Sequence, residues 1–464
     1  MIKPIDKDKS EFVFWSAVAF LASFIIRLNP AIAIYLVCIA AYVKSRRLDL
    51  KNHNFLNLLL LFTVTFTGSY IVITRNLPVY YIPFCFTPML ATLLFGRLEI
   101  SLVLAFACAI PLGSVSRYPL QTIVLFLVSG ILSSLLVRGA RRRSKIIAAG
   151  LLAGAAQSAV VVFMHPLAKN GVMLDALNLT LNGIAVSIAV LGVLPVFEYL
   201  FKTVTNISLL ELADFNHPLM QRMILEAPGT YHHSLVVGNL SEAACRAVGA
   251  NSLLARIGAY YHDVGKLSKP EYFSENQDIH ASKHDALSPA MSRIVIMNHV
   301  KDGIEIAKKY KLNPALVDFI EQHHGKSLVY YFYRRALETL EEDHEVREEG
   351  FRYSGPKPDT KETAVVLLAD SVEAATRAVK EPSAAKIEET VHKVINNKFI
   401  DGQLDECELT LKDLEKISAI FIRILGGIHH GRTRYPEEAT SEDNYKKSPK
   451  EDTRPSEKDK KRNP

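Results

Sequence analysis

Cysteine is scarce and scattered. The five thiols, Cys38, Cys85, Cys108, Cys245 and Cys407, form no CxxC pair, which excludes a disulfide framework and a zinc ribbon and places the soluble part in a reducing compartment. Acidic residues are rare in residues 1–200, which hold 7 Asp/Glu and 17 Lys/Arg, whereas residues 201–464 hold 41 and 37. So little charge over the first 200 positions excludes a simple soluble enzyme, and the charge-rich remainder excludes a pure transporter. The second half lacks alternating apolar and polar runs, so β architectures drop out. The apolar runs of the first half hold no pair of opposite charges that would mark an ion or proton path. Asn178 and Asn182, one helical turn apart, are their most polar feature.

What fills the first half is apolar sequence. Runs extend over residues 12–26, 31–43, 55–73, 78–95, 100–115, 119–137, 146–164 and 177–197. Residues 1–200 therefore read as a transmembrane helical domain of about eight spans. A bilayer-crossing helix needs about 20 residues; the first two runs are shorter and form either a tight hairpin turning at residues 27–30 or one long helix. Basic residues cluster in alternate loops, at Lys44, Arg46, Arg47 and Lys51, then Arg97, then Arg138, Arg141, Arg142, Arg143 and Lys145. The positive-inside rule makes those loops cytoplasmic. The expected location is a multi-pass place in the cell membrane, with everything after Phe197 in the cytoplasm. No cleavable signal peptide is expected, because a second apolar run follows the first at once and no small-residue cleavage site separates them. Gly150 and Gly154 stand at the spacing that lets helices approach closely, which reads as ordinary bundle packing.

The second half divides into a linker at 201–212, an all-helical domain at 213–436 and a disordered tail at 437–464. Apolar residues recur at three-to-four spacing in 314–321, 363–379 and 411–425. Residues 341–362, rich in charge, Gly and Pro, read as an exposed loop. The tail carries 8 acidic and 8 basic residues with almost nothing apolar, so it cannot bury a core. The expected fold class is all-α: a polytopic helical membrane domain followed by an all-helical cytoplasmic domain.

Histidine is distributed unevenly: thirteen of the fifteen lie between His217 and His430. Their order is informative. His233 stands in Gly-Thr-Tyr-His-His-Ser, His262-Asp263 in Tyr-His-Asp-Val-Gly-Lys, His299 in Asn-His-Val, His323-His324 in Gln-His-His-Gly, and Asp370 in Leu-Ala-Asp-Ser-Val-Glu. Imidazoles and carboxylates from several helices facing one interior are what a cluster of divalent transition metals requires. Neighbours on a helix point about 100° apart, so His262 can serve one ion while Asp263 bridges two. Two ions about 4 Å apart can hold a hydroxide and clamp a phosphate. Lys266, one turn on, suits contact with a scissile phosphate, and Arg377, two turns after Asp370, is a further phosphate candidate. His324 is open between metal ligand and substrate contact. His232 cannot face the same ion as its neighbour. His217, His284, His429 and His430 read as structural or supporting residues, and His344 and His392 as surface.

This ordered set resembles the HD-domain metal-dependent phosphohydrolases. The wider wording, from Asn216-His-Pro-Leu through Ala227-Pro-Gly-Thr-Tyr-His-His-Ser, His262-Asp-Val-Gly-Lys and Tyr272-Phe-Ser-Glu-Asn-Gln, resembles the seven-transmembrane HD-domain family of cyclic di-AMP phosphodiesterases. The resemblance favours His233 over His232 as a ligand. It implies a metal set of His233, His262, Asp263, His299, His323, His324 and Asp370, with Asp263 and Lys266 catalytic and Lys266, His324 and Arg377 touching substrate. It further implies two divalent ions, manganese or iron, and hydrolysis of cyclic di-AMP to linear pApA by a hydroxide held between them. The ligand types alone would also accept zinc, nickel or cobalt. A related branch acting on cyclic di-GMP carries Gly-Tyr-Pro soon after its paired histidines; here Gly-Lys-Ser-Leu-Val-Tyr follows His324, which argues against that substrate. Family members carry a large extracellular domain after the first span, where this chain has residues 27–30, so an external sensor is not expected. The expected partners are a cyclic dinucleotide and the lipid bilayer, with no nucleic-acid polymer; a homo-oligomer is left open. Two rivals stand beside this reading: an HD hydrolase of another nucleotide, and a membrane receptor that binds a nucleotide without turnover.

Overall fold

The computed structural model describes residues 54–164, 171–201, 203–277, 283–338 and 346–429. The first two apolar runs, the residue 27–30 turn and the tail lie outside these, as do His344 and His430. Six helices follow the apolar runs: α1 (Asn54–Thr74), α2 (Phe86–Phe95), α3 (Leu98–Val115), α4 (Pro119–Val137), α5 (Arg143–Met164) and α6 (Val172–Phe201). All but α2 are long and apolar enough to cross a membrane. They are apolar all round, and side chains such as Leu120, Leu135 and Phe163 stay exposed, as a lipid-facing surface requires.

The run at 78–95 differs from a simple span. It begins with a single 3₁₀ turn, Val79–Tyr81, and then breaks. Pro83 forces Ile82 into the extended region, with ψ at 124°, and α2 starts only after that. Ten residues reach about 15 Å, half the hydrocarbon thickness. Thr87 to Thr92 and Leu94 are buried inside the bundle, so this half-helix is core rather than lipid-facing wall. Helices α5 and α6 touch through backbone: a Cβ on Gly183 would lie 2.2 Å from the Gly150 carbonyl oxygen. That close approach is what the glycine spacing supplies.

The segment expected as a linker contains a helix, α7 (Asn206–Leu212). Glu198, buried near the end of α6, accepts from the Thr205 amide at 2.8 Å and the Ser208 hydroxyl at 2.8 Å. Leu209, fully buried, joins Leu219, Met220 and Tyr261 in one apolar cluster, and the Tyr261 hydroxyl donates to the Leu212 carbonyl at 2.7 Å. Contacts on both sides of α7 thus tie the end of α6 to the core of the helical domain.

After α7 come α8 (Pro218–Glu226), α9 (Pro228–Ala247), α10 (Ser252–Tyr261), α11 (Pro289–Lys309), α12 (Pro314–Gln322), α13 (Tyr330–Glu338), α14 (Lys361–Arg377), α15 (Ala384–Ile400) and α16 (Leu411–His429). The local signals are strong. Proline opens α8, α9, α11 and α12, where its missing N–H costs nothing. Asn251, Ser288, Asn313, Thr360 and Ser383 each cap a helix by accepting a backbone N–H. Helix α14 is the central rod: Ala364 to Asp370 is buried without interruption, because α9, α10, α12, α15 and α16 pack around it. No strand occurs among the described residues; the one isolated bridge joins Leu328 and Arg352.

That bridge corrects the exposed-loop expectation for 341–362. The described part of the loop folds inward, with Val329 N–H donating to the Phe351 carbonyl and Tyr353 N–H to the Ser327 carbonyl. Phe351 is 6% exposed. Two aromatics embedded in a charge-rich stretch supply enough apolar area to draw it onto the core.

Candidate metal centre

Each element delivers its side chain for a local reason. His233 lies on the buried face of α9 with Ser234 and Val237, while His232 is exposed. The His-Asp pair is not within a helix as the spacing argument assumed. Helix α10 ends at Tyr261; His262 is its cap, and Asp263 adopts φ −104°, ψ 13° before a 3₁₀ turn, Val264–Ser268. Gly265 explains the turn. A Cβ there would sit 1.7 Å from the His299 carbonyl oxygen, and Gly303 lies opposite, so the turn can press directly against α11 and bring His299 beside Asp263. His323 caps α12, and Gly325, with φ +53°, ends that turn in the left-handed region. Asp370 and Glu373 project from α14, three residues apart and therefore on one face.

The result is a buried constellation centred on Asp263, which is 1% exposed. Its Oδ2 lies 3.2 Å from His262 Nε2 and 3.5 Å from His233 Nε2. Its Oδ1 lies 3.4 Å from His299 Nε2 and 3.5 Å from His323 Nε2. Asp370 Oδ1 is 3.1 Å from His233 Nε2 and 3.8 Å from His262 Nε2, and its Oδ2 is 3.6 Å from His324 Nδ1. The donor atoms fall into two groups of four, one of His233, His262, Asp263 and Asp370 and one of Asp263, His299, His323 and His324. Asp263 belongs to both.

Hydrogen bonding at the far side of each ring shows that these groups suit a metal. His262 Nδ1–H donates to the Ala259 carbonyl (2.6 Å), His299 Nδ1–H to that of Ile296 (2.5 Å) and His323 Nδ1–H to that of Ile320 (2.9 Å). His233 Nδ1–H donates to Glu373 Oε2 at 2.5 Å. With Nδ1 donating outward, all four Nε2 atoms face the interior, where, once deprotonated, they would offer lone pairs to an ion. The Nε2 atoms of His299 and His323 face each other at 3.2 Å, and His262 Nε2 and Asp263 Oδ1 are buried with no hydrogen-bond partner. Converging lone pairs with nothing to donate to them are costly unless cations lie among them.

The electrostatics show how strongly opposite charges are drawn together here. Burial would raise the carboxyl groups of Asp263 and Asp370, yet the neighbouring imidazoles, and Lys266 beside Asp263, hold both well below the usual carboxylate range. Burial pushes His299 down to about 4. For His262 the burial effect is more than offset by Asp263 and Asp370, which pull it up to about 10. Lys266 would likewise be lowered by burial, but Asp263 and Glu275 keep its ammonium charged; Nζ lies 2.8 Å from Asp263 Oδ2 and 2.6 Å from Glu275 Oε1.

A cleft of about 560 Å³ opens on this centre, lined by His233, Lys266, His299, His324, Asp370 and Arg377. That volume is in the range of small-molecule sites. The structure brings every residue expected at the site together; His262, Asp263 and His323 do not line the cleft but sit against the residues that do, at about 1% exposure or less. Of the outlying histidines, His284 lies on the cleft wall with Nε2 donating to the Tyr272 carbonyl at 2.8 Å, His217 packs edge-on against Tyr261, and His392 is exposed. Three contributors escaped sequence reasoning. Glu373 was recoverable, being one turn from Asp370. Glu275, which accepts from Lys266 and Thr230, sits in a single 3₁₀ turn, Ser274–Asn276, too short to show a periodicity. Tyr353, stacked on His324 with ring centroids 4.3 Å apart, was hidden in the charge-rich loop.

The chain resembles proteins already known. A family model described as a 7TM receptor with intracellular HD hydrolase matches residues 4–205, and one described as an HD domain matches residues 230–375. The chain is 44% identical over 319 residues to cyclic-di-AMP phosphodiesterase PgpH of Bacillus subtilis, covering 68% of this chain and 44% of that protein. With the PgpH of Listeria monocytogenes the identity is 40% over 363 residues, covering 77% and 50%. The crystal structure of the L. monocytogenes PgpH HD domain is 47% identical, covers 46% of this chain and all of that one, and superposes with a TM-score of 0.44. The chain spans about half the length of the curated relatives it matches. HD domains bind divalent metal, and the two donor groups fit that property. Apolar helices followed in order by a helical domain with a His/Asp centre thus have a common explanation: this is a multi-pass membrane protein whose membrane part matches the 7TM receptor model and whose helical part matches the HD domain.

Proposed function

We propose that the protein is a membrane-bound phosphodiesterase that hydrolyses cyclic di-AMP to linear pApA, with its HD domain in the cytoplasm. The observation that carries this reading is the pair of four-donor groups sharing Asp263, the arrangement a two-metal phosphoester hydrolase needs. His233, His262, Asp263 and Asp370 would hold one ion and Asp263, His299, His323 and His324 the other, manganese or iron being the expected metals. Bound there, the ions would supply Lewis acidity toward a phosphoryl oxygen and an activated water.

The remaining roles fall to the chain itself. Lys266, held charged by Asp263 and Glu275, would meet charge developing on the phosphate, as a preorganised cation does without reorganisation. Arg377, 43% exposed in its side chain, would meet a phosphate nearer the cleft mouth. His324, one-fifth exposed and stacked on Tyr353, can turn either to the metal or to substrate. The names of the two PgpH relatives support the adenine dinucleotide, as does the absence of Gly-Tyr-Pro after His324. Incubating the detergent-solubilised full chain with Mn²⁺ and matched cyclic dinucleotides tests this. pApA should form from cyclic di-AMP faster than pGpG from cyclic di-GMP; equal or reversed turnover would reject the substrate assignment, and no turnover of either by metal-loaded protein would reject the enzyme.

A further inference from the structure

We infer that Glu373 is the positioning residue of one half of the metal centre: it fixes the tautomer and ring angle of His233 and so sets the affinity of the His233 group alone. This rests on the two-metal reading above. The observation behind it is an asymmetry among the imidazoles. His262, His299 and His323 are each oriented by a main-chain carbonyl three residues earlier, which no side-chain substitution removes. His233 is oriented by a carboxylate from another helix, Glu373 Oε2, at 2.5 Å. Both side chains are almost fully buried, at 2% and 8% exposure.

That contact cannot be replaced locally. With Nδ1 released, His233 could present either nitrogen inward, and an inward N–H would point at Asp370 Oδ1, now 3.1 Å away, in place of the lone pair a metal needs. The carboxylate also makes the imidazole a more basic ligand than a carbonyl would. The second oxygen of Glu373 faces Arg377 Nη1 at 3.5 Å, so the same residue braces a cation on the cleft wall. None of this reaches the other group, since the donors of Asp263 Oδ1, His299, His323 and His324 have no contact with Glu373 in the hydrogen bonds and ion pairs of the described residues.

The test is metal affinity rather than turnover. Metal-free full chain in detergent is titrated with Co²⁺, with binding followed by visible absorption and by competition with a chromophoric chelator. The unaltered chain should take up two ions. In Glu373→Ala, one should bind about 10- to 100-fold more weakly, the usual cost of losing such a support, and the other should be unchanged. Glu373→Gln, which keeps the size and an acceptor oxygen but not the charge, should weaken the same site by less. The inference is overturned if a folded variant weakens both sites together, as a purely structural residue would, or if neither variant weakens either. Should Glu373→Ala fail to fold, Glu373→Gln decides alone, and unchanged binding at both sites overturns the inference. An unaltered chain that binds fewer than two ions would instead refute the two-metal reading.

Discussion

Replacing Asp263 by asparagine probes the centre with almost no change of shape. In the native side chain, Oδ2 faces His262 and His233 while Oδ1 faces His299 and His323. Asparagine leaves one acceptor oxygen and puts an NH₂ at the other position. Whichever way the amide turns, one group of donors loses an anionic oxygen and gains N–H bonds aimed at lone pairs, so one ion should be lost and the other weakened by removal of the shared negative charge. Lewis-acid stabilisation by a metal ion is worth several kcal/mol; forfeiting about 4 kcal/mol lowers turnover by about 10³. The assay is elemental analysis of the purified full chain beside chromatography of pApA formed from cyclic di-AMP. Thermal denaturation shows whether the fold survives, which is expected because the substitution is isosteric. A folded Asp263→Asn protein with two metals per chain and near-normal turnover would refute the argument that Asp263 is the shared ligand.

Other consequences are separable from that one. Lys266→Ala removes no proposed metal ligand, although Nζ lies 2.8 Å from Asp263 Oδ2, so metal content should persist while kcat falls by about 10² to 10³, the cost of one lost transition-state donor; loss of both metals would reassign Lys266 to a structural role. Gly265→Ala places a Cβ against the His299 carbonyl oxygen, 1.7 Å away before relaxation. Neither backbone can yield without moving α11, so a loss of about 2 kcal/mol or more is expected, read as a fall in thermal midpoint; an unchanged midpoint would show that the turn is not tightly packed. A reporter fused after Pro436 should behave as cytoplasmic and one inserted at Lys169 as external. The opposite pattern would defeat the charge argument and the intracellular substrate together.

How much of this could be read from the sequence depended on how local each signal was. The helices after α7 announce themselves through caps and amphipathic spacing, and α12, α14 and α16 fall where periodicity puts them. Apolar runs predicted the long membrane helices, but counting apolar residues could not show that Pro83 breaks the run at 78–95, because that break is a backbone constraint rather than a hydropathy feature. The His/Asp set was legible because its members stand in order with short, distinctive surroundings. What hydropathy and spacing miss is the third dimension. His262 and Asp263 look like helix neighbours, yet the helix ends at Tyr261 and a 3₁₀ turn follows, in which Gly265 lets the backbone press against α11. Tyr353 reads as part of a solvated loop until Leu328 and Arg352 pair and bring it onto His324.

The central claim is that two ions lie on either side of one carboxylate. Anomalous diffraction from crystals of the manganese-loaded protein tests it directly. Two peaks should appear, one among His233, His262 and Asp370 and one among His299, His323 and His324, with Asp263 between them. A single peak, or two peaks that do not share Asp263, would contradict the account.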